Sequence, residues 1–230
     1  MKGYFFTCHD QITFNDYNYE KPNRSLIAST QDGATSTLEN YSFPGGYKNA
    51  EEGNRLSKIE LARDKIASCK IEAQGDVCFL NSGAVFTLSQ HPRDDFNTDF
   101  LMIEIHQRGD QPQVLEEQSG SGGYRFETSV TCIPSDMEYR SPCVHKKPLI
   151  SGTQTAVVYG APGESIYTDD LGRIKVNFHW ERENKSSCWL RVSQAGAGNQ
   201  WGAINLPRVG QEVIVDFVDG NPDHPLVTGG

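Results

Sequence analysis

The stretch "GRIKVNFHW", Gly172 to Trp180, sets Ile174, Val176, Phe178 and Trp180 at strict alternation with Arg173, Lys175, Asn177 and His179. Period two puts successive side chains on opposite faces of a strand, and no helix can segregate them that way. The stretch therefore predicts a strand with one dry face and one wet one. Its neighbours share the texture. Beyond Ser151, "TQTAVVYG", "CWLRVSQ", "WGAINLP", "QEVIVDFVDG" and "PLVTGG" are cut apart by "APGES", "TDDLG", "AGAGN" and "NPDHP". Glycine, proline, asparagine and aspartate at that density set turns, so the C-terminal third predicts a small Greek-key β-barrel.

Upstream, "YFFTCHDQITF" and "ATSTLENYSF" read as short strands broken by "KPN", "QDG" and "PGG". One segment differs. "NAEEGNRLSKIELARDKIASCKI" carries Leu56, Ile59, Ala62, Ile66 and Cys69 at helical spacing, with acids early and bases late. It predicts an amphipathic helix from about residue 51 to 70. "DVCFLNSGAVFTLSQH" and "TDFLMIEIHQRGD" again read as strands, the second alternating Leu101, Ile103 and Ile105 with Met102, Glu104 and His106. "LEEQSGSGGYRFETSV" opens on a Ser/Gly loop. Pro134, Pro142 and Pro148 break regular structure across "IPSDMEYRSPCVHKKPLISG". The expected division is a β-rich domain over residues 1–147 and a barrel over 148–230. The fold class is mainly β with one helix.

Composition narrows function by exclusion. Formal net charge is −9, and the barrel segment carries six bases against nine acids, so nucleic acid is an unfavourable partner. No apolar run nears the roughly 20 residues of a membrane helix. The opening "MKGYFFTCHDQITF" lacks the apolar core and cleavage site of a signal peptide, so assembly in the cytoplasm and no stable membrane insertion are expected.

Chemical motifs are sparse. The six cysteines (Cys8, Cys69, Cys78, Cys132, Cys143, Cys188) form no CxxC and are expected reduced and mostly buried. Cys143 and His145 lack two further ligands for zinc. There is no GxSxG elbow or HExxH helix. "GAGNQWG" lacks the lysine and hydroxyl of a phosphate loop and reads as a hairpin. Glu116 and Glu117 are adjacent and read as solvated acids rather than a glycosidase pair. His179 and Trp180 point to opposite faces of their strand and cannot act together. No catalytic, cofactor-binding or metal-binding residues are expected. In "EVIVDFV" the residues Val213, Ile214, Val215, Phe217 and Val218 leave no wet face, which predicts burial on both sides through self-association.

Read together, "IYTDDLGRIKVNFHWERENKSSCWLRVSQ", "WG" and "LPRVGQEVIVDFVDGNPDHPLVTG" resemble the oligonucleotide-binding-fold (OB-fold) barrel of the VgrG family, the tip or spike proteins of bacterial type VI secretion. "DYNYEKP", "YSFPGGY", "GNRLSKIELAR", "LSQHPRDDFNTDFLMIEI", "QPQVLEE" and "YRFE" are similar to the phage-hub-like region that precedes that barrel. The resemblance implies a homotrimer related to the fused hub and spike of contractile phage tails. It implies a hub seated on the Hcp tube, a barrel collar, a PAAR tip protein, baseplate components and effector proteins as partners, and delivery out of the cell during contraction. It implies no enzyme and no cofactor. The family has a further hub domain before and a β-needle after the region matched, so a fragment is expected. Gly196 stands where family members commonly carry an aromatic. An envelope-degrading or glycan-binding module, and the equivalent spike of a phage tail, are the alternatives. Function is expected to rest on packing and interface residues: Ile174, Val176, Phe178, Trp180, Trp189, Trp201, Val213, Val215 and Phe217.

Overall fold

The computed structural model describes residues 2–3, 8–33, 38–110, 125–183, 185–198 and 200–230. The chain divides into two compact units, Met1–Pro142 and Cys143–Gly230. Glu116 and Glu117 lie outside the described residues.

In the first unit, β1 (Lys2–Gly3), β2 (Gln11–Phe14), β3 (Ala28–Gln31) and β4 (Glu39–Ser42) precede helix α1 (Ala50–Ser68). After it come β5 (Ile71–Gly75), β6 (Val85–Thr87), β7 (Asp99–Asp110) and β8 (Arg125–Pro134). They form a five-stranded sheet ordered β1-β5-β8-β7-β6 and a three-stranded sheet ordered β3-β2-β4. Asn49 caps α1, its side-chain oxygen accepting the Glu52 amide at 2.9 Å, and Glu51 and Glu52 complement the positive helix end.

The helix exists where the spacing predicts it and buries Ile66 as expected, but most of its other buried positions differ from those expected. Gly53, Ser57 and Leu61 are buried at i, i+4 and i+8, whereas Leu56, Ile59 and Ala62 are only half-buried. Small residues bring α1 close to β2 and β3. Ser57 shares a 2.6 Å hydroxyl contact with Thr30, and the Tyr47 ring fills the slot beside Gly53 while its phenol donates to the Leu26 carbonyl. Burial first, then Asp16 and Tyr41, raise that phenol above its ordinary pKa.

Strand β7 also departs from expectation. Phe100 and Met102 are buried, not Leu101 and Ile103. A register shift between Met102 and Glu104 against β8 then exchanges the faces, and Ile105 packs on the same core. A bulge inserts one residue, and one residue is enough to flip a strand. Of "DVCFLNSGAVFTLSQH" only Val85–Thr87 is a strand.

The second unit contains β9 (Gln154–Tyr159), β10 (Lys175–Phe178), β11 (Arg191–Val192), β12 (Ala197–Gly198), β13 (Trp201–Gly202), β14 (Glu212–Phe217) and β15 (Pro225–Gly229). Five of these make a sheet ordered β10-β9-β14-β15-β11, with β11 parallel to β15. Its edges meet. Ile174 and Leu190, just before β10 and β11, exchange hydrogen bonds of 2.9 and 2.7 Å and close the sheet on itself. Closure removes the free edges that an open sheet exposes. The core inside is Ala156, Val158, Ile174, Val176, Leu190, Val213, Val215, Phe217 and Val227.

Cysteine placement corrects an expectation. Only Cys132 is buried, its thiol pushed up to about 11 by desolvation. Cys8 and Cys69 are half-buried, and Cys78, Cys143 and Cys188 are exposed. The exposed three lie in turns and connections outside the strands, where no core is available to them.

Candidate interaction surface of the barrel

The expected packing residues separate into three groups. Ile174, Val176, Val213, Val215 and Phe217 line the barrel interior. Phe178 is half-buried and packs on that interior, stacked between Phe217 at 6.4 Å and Trp180 at 5.1 Å between ring centroids. Trp180 is not a core residue: it is 65% exposed, because β10 ends at Phe178 and a turn carries Trp180 out of the pleat. Its indole donates to the Gln154 side chain at 3.1 Å.

Trp189 is half-buried on the outside of the barrel. Tyr167 lies 5.4 Å from its ring, Tyr159 lies 6.3 Å from Tyr167, and the Lys175 ammonium sits 5.0 Å above the Trp189 ring. This small outer cluster gives the "wet" face of β10 an apolar lining and a cation–π contact. Tyr159 and Tyr167 went unremarked in the sequence because neither repeats at strand period with Trp189. The nearby turn is fixed by Asp169, whose carboxylate accepts the Leu171 amide at 3.0 Å, the Arg173 amide at 2.9 Å and the Arg173 guanidinium at 2.6 Å. Burial pushes the Asp169 carboxyl up, but these donors outweigh it and hold it below its usual range.

Strand β14 does have a wet face. Val213, Val215 and Phe217 are buried, while Ile214 is 41% exposed and Val218 is also exposed. Within one chain the alternation is that of a half-buried barrel strand, so burial on both sides is not provided by the chain itself. His179 approaches Glu212 at 3.8 Å with both side chains more than half exposed, a weak pair.

The last group is an arm. Between β11 and β14 the chain leaves the barrel and returns through a hairpin in which Ala197 pairs with Gly202 and Gly198 with Trp201. All described residues from Ala195 to Asn205 are exposed, Trp201 at 67% and Ile204 at 72%. Trp201, expected as a structural or interface residue, presents one indole face to solvent. The other lies against Gly198, where any Cβ would fall 2.3 Å from its Nε1. Ile204 was not singled out from the sequence. The signal that could have found it is the absence of any Asp, Glu, Lys or Arg from Val192 to Pro207.

Cys143 donates only to the His145 backbone carbonyl, at 3.7 Å. Among the described residues no group of three His, Cys, Asp or Glu is placed to hold a metal, and no helix is long and apolar enough to cross a membrane.

Comparison with known proteins follows the division into two units. Residues 8–113 match the phage tail baseplate hub (GPD) family, and residues 164–230 match the type VI secretion system/phage-baseplate injector OB domain. The type VI secretion system spike protein VgrG1a of Pseudomonas aeruginosa is 39% identical over 227 residues, covering 95% of this chain and 35% of its own length. VgrG4b of the same organism is 42% identical over 237 residues, covering 95% and 29%. The chain is homologous to the VgrG spike proteins over most of its length. It spans about a third of the length of these VgrG relatives. The VgrG fold extends to the solved structure of the E. coli c3393 protein, described as a component of the type VI secretion system with structural similarity to the T4 bacteriophage tail proteins gp27 and gp5. That structure matches with a TM-score of 0.54 at 18% identity, covering 94% of this chain and 55% of the other.

Proposed function

We propose that this chain forms the hub and collar of a trimeric type VI secretion spike that acts by assembly rather than by catalysis. The hub-like unit would seat on the hexameric Hcp tube, and the barrel would form the collar that leads toward a PAAR tip protein. Baseplate components and effector proteins would be its other partners. It would assemble in the cytoplasm and leave the cell when the sheath contracts. The single observation that carries this reading is the hub match followed by the injector OB match, in that order, within one chain 36 to 42% identical to spike proteins over nearly its whole length.

The residues with the strongest claim on function are then structural. Ile174, Val176, Val213, Val215 and Phe217 hold the barrel closed with Phe178 packed against them, and Trp180, Trp189 and Trp201 lie on its outer side. Deleting the gene in cells that carry no other copy of the family is expected to abolish release of Hcp into the medium, with restoration by the intact gene. Release at the parental level without it would overturn the proposal. A second reading, the spike of a phage tail, is favoured by the OB domain's description, which spans both machines. Neighbouring genes for a phage capsid rather than for secretion components would decide for it.

A further inference from the structure

The first unit holds a cleft of about 400 Å³ between α1, β7 and the connection that follows β8, a volume within the range of small-molecule sites. Helix spacing supplies one wall: Glu60, Arg63, Asp64 and Ala67, at i, i+3, i+4 and i+7, form one stripe along α1. The bulge in β7 supplies the second. Successive residues of a regular strand face opposite ways, yet Ile103 and Glu104 both line the cleft. Met102 pairs with Cys132 and Glu104 with Thr131, so Ile103 is the extra residue, and the bulge turns both side chains to one side. Tyr139, Arg140 and Pro142 make the third wall. It is held to the helix by Arg63, whose Nε donates to the Ser141 carbonyl at 3.1 Å.

The polar groups of the cleft are unevenly satisfied. Each carboxylate already has a basic neighbour. Glu60 is bonded by Arg63. Asp64 accepts the His9 amide at 2.7 Å and lies 2.9 Å from the His9 Nδ1, and Glu104 lies 3.0 Å from the His106 Nε2. The bases are left with capacity. The Lys70 ammonium, at an exposed position on the rim, has no hydrogen-bond or ion-pair partner among the described residues. Arg140 gives one guanidinium nitrogen to exposed Glu138, while its Nε is buried with no partner among the described residues. A cationic donor taken out of water without an acceptor carries an uncompensated desolvation cost, and an anion beside the guanidinium lowers it.

The acids limit how much negative charge the cleft accepts. A single carboxylate is therefore favoured over a phosphate monoester, which carries about −1.5 to −2 charge. We propose that this cleft binds one carboxylate on a short carbon skeleton, with Lys70 and Arg140 as its charge partners and Ile103, Tyr139 and Pro142 against the skeleton. A free monocarboxylic acid and the acidic side chain of a protein present the same chemistry.

The test is methyl NMR of the full chain, labelled with carbon-13 at the isoleucine δ-methyls. It is titrated at constant ionic strength with butyrate, with the α-amide of N-acetylglutamate, and with uncharged butyramide. Ile66 and Ile103, which both line the cleft, are expected to shift saturably with a carboxylate and not with butyramide. Saturation by butyrate identifies a free acid as sufficient, and saturation by the blocked glutamate alone identifies an acidic side chain; either supports the proposal. Lys70→Gln and Arg140→Gln, each checked for parental thermal unfolding, are expected to weaken binding at least about tenfold, and Lys70→Arg to retain it. Should Arg140→Gln fail to fold, Lys70→Gln decides, because its side chain is exposed. The proposal is overturned if neither acid saturates by about 50 mM, within the affinity range open to so few atoms. An equal response to butyramide, or binding unchanged in the folded variants, overturns it as well.

Discussion

Gly53 decides how closely α1 can approach its sheet. Alanine is the better helix former by about 1 kcal/mol, so an exposed glycine at this position would be improved by the change. At Gly53 an added Cβ would fall 2.6 Å from Tyr47 Cε2 and 2.9 Å from the Ala28 Cβ. Overpacking typically costs about 1 to 3 kcal/mol, which outweighs the propensity gain. Gly53→Ala is therefore expected to lower the melting temperature of the first unit, measured by circular dichroism at α1. A Tm equal to or above the parent's would contradict the packing described. The sequence did not reveal this slot, because a glycine inside a helical pattern looks like a weakness until the aromatic ring that needs it is placed. Ile174 and Val176, by contrast, were legible as core residues from alternation alone, and both are fully buried. Trp180 shares their alternation and escapes their burial, because the pleat ends before it.

At the scale of elements, legibility follows how local the cause is. The strands of the barrel and the existence of α1 depend on spacing along a few residues. The bulge in β7 depends on β8, far along the chain, so the face of Phe100 and Met102 could not be read from β7 itself. The hairpin in "GAGNQWG" was legible from its glycines, but the exposure of Trp201 on it was not, because that depends on where the barrel ends and the ladder is only two residues long on each side. The Asp169 turn gives an element-scale prediction. Its carboxyl is held below its ordinary value in the fold, so the unfolded chain takes up the proton first as pH falls. The stability it contributes is present above the unfolded value of about 3.9 and is lost as pH falls through the folded one. Asp169→Asn keeps the shape but not the charge. Its melting temperature should trail the parent's at pH 7, with the gap closing as pH drops below about 4. A gap that is the same at pH 7 and pH 3 would show that the charge does not hold the turn.

For the whole molecule, the division into two units and the closing of the barrel explain how a chain with few chemical motifs can still be functionally specific. Its information lies in surfaces. The barrel core fixes which residues face outward, and the outward set includes Trp180, Trp201, Ile204 and Ile214, all exposed in the single chain. The expectation of a second packing layer for β14 came from its apolar run, and Ile214 and Val218 remain uncovered within one copy. Association would cover such residues, as in the trimer proposed above. The most direct measurement is the solution mass of this chain by light scattering across a concentration series. A mass of three chains, reached at accessible concentration and held above it, is the predicted result. A mass of one chain throughout would contradict the claim that this hub and barrel assemble as a trimer.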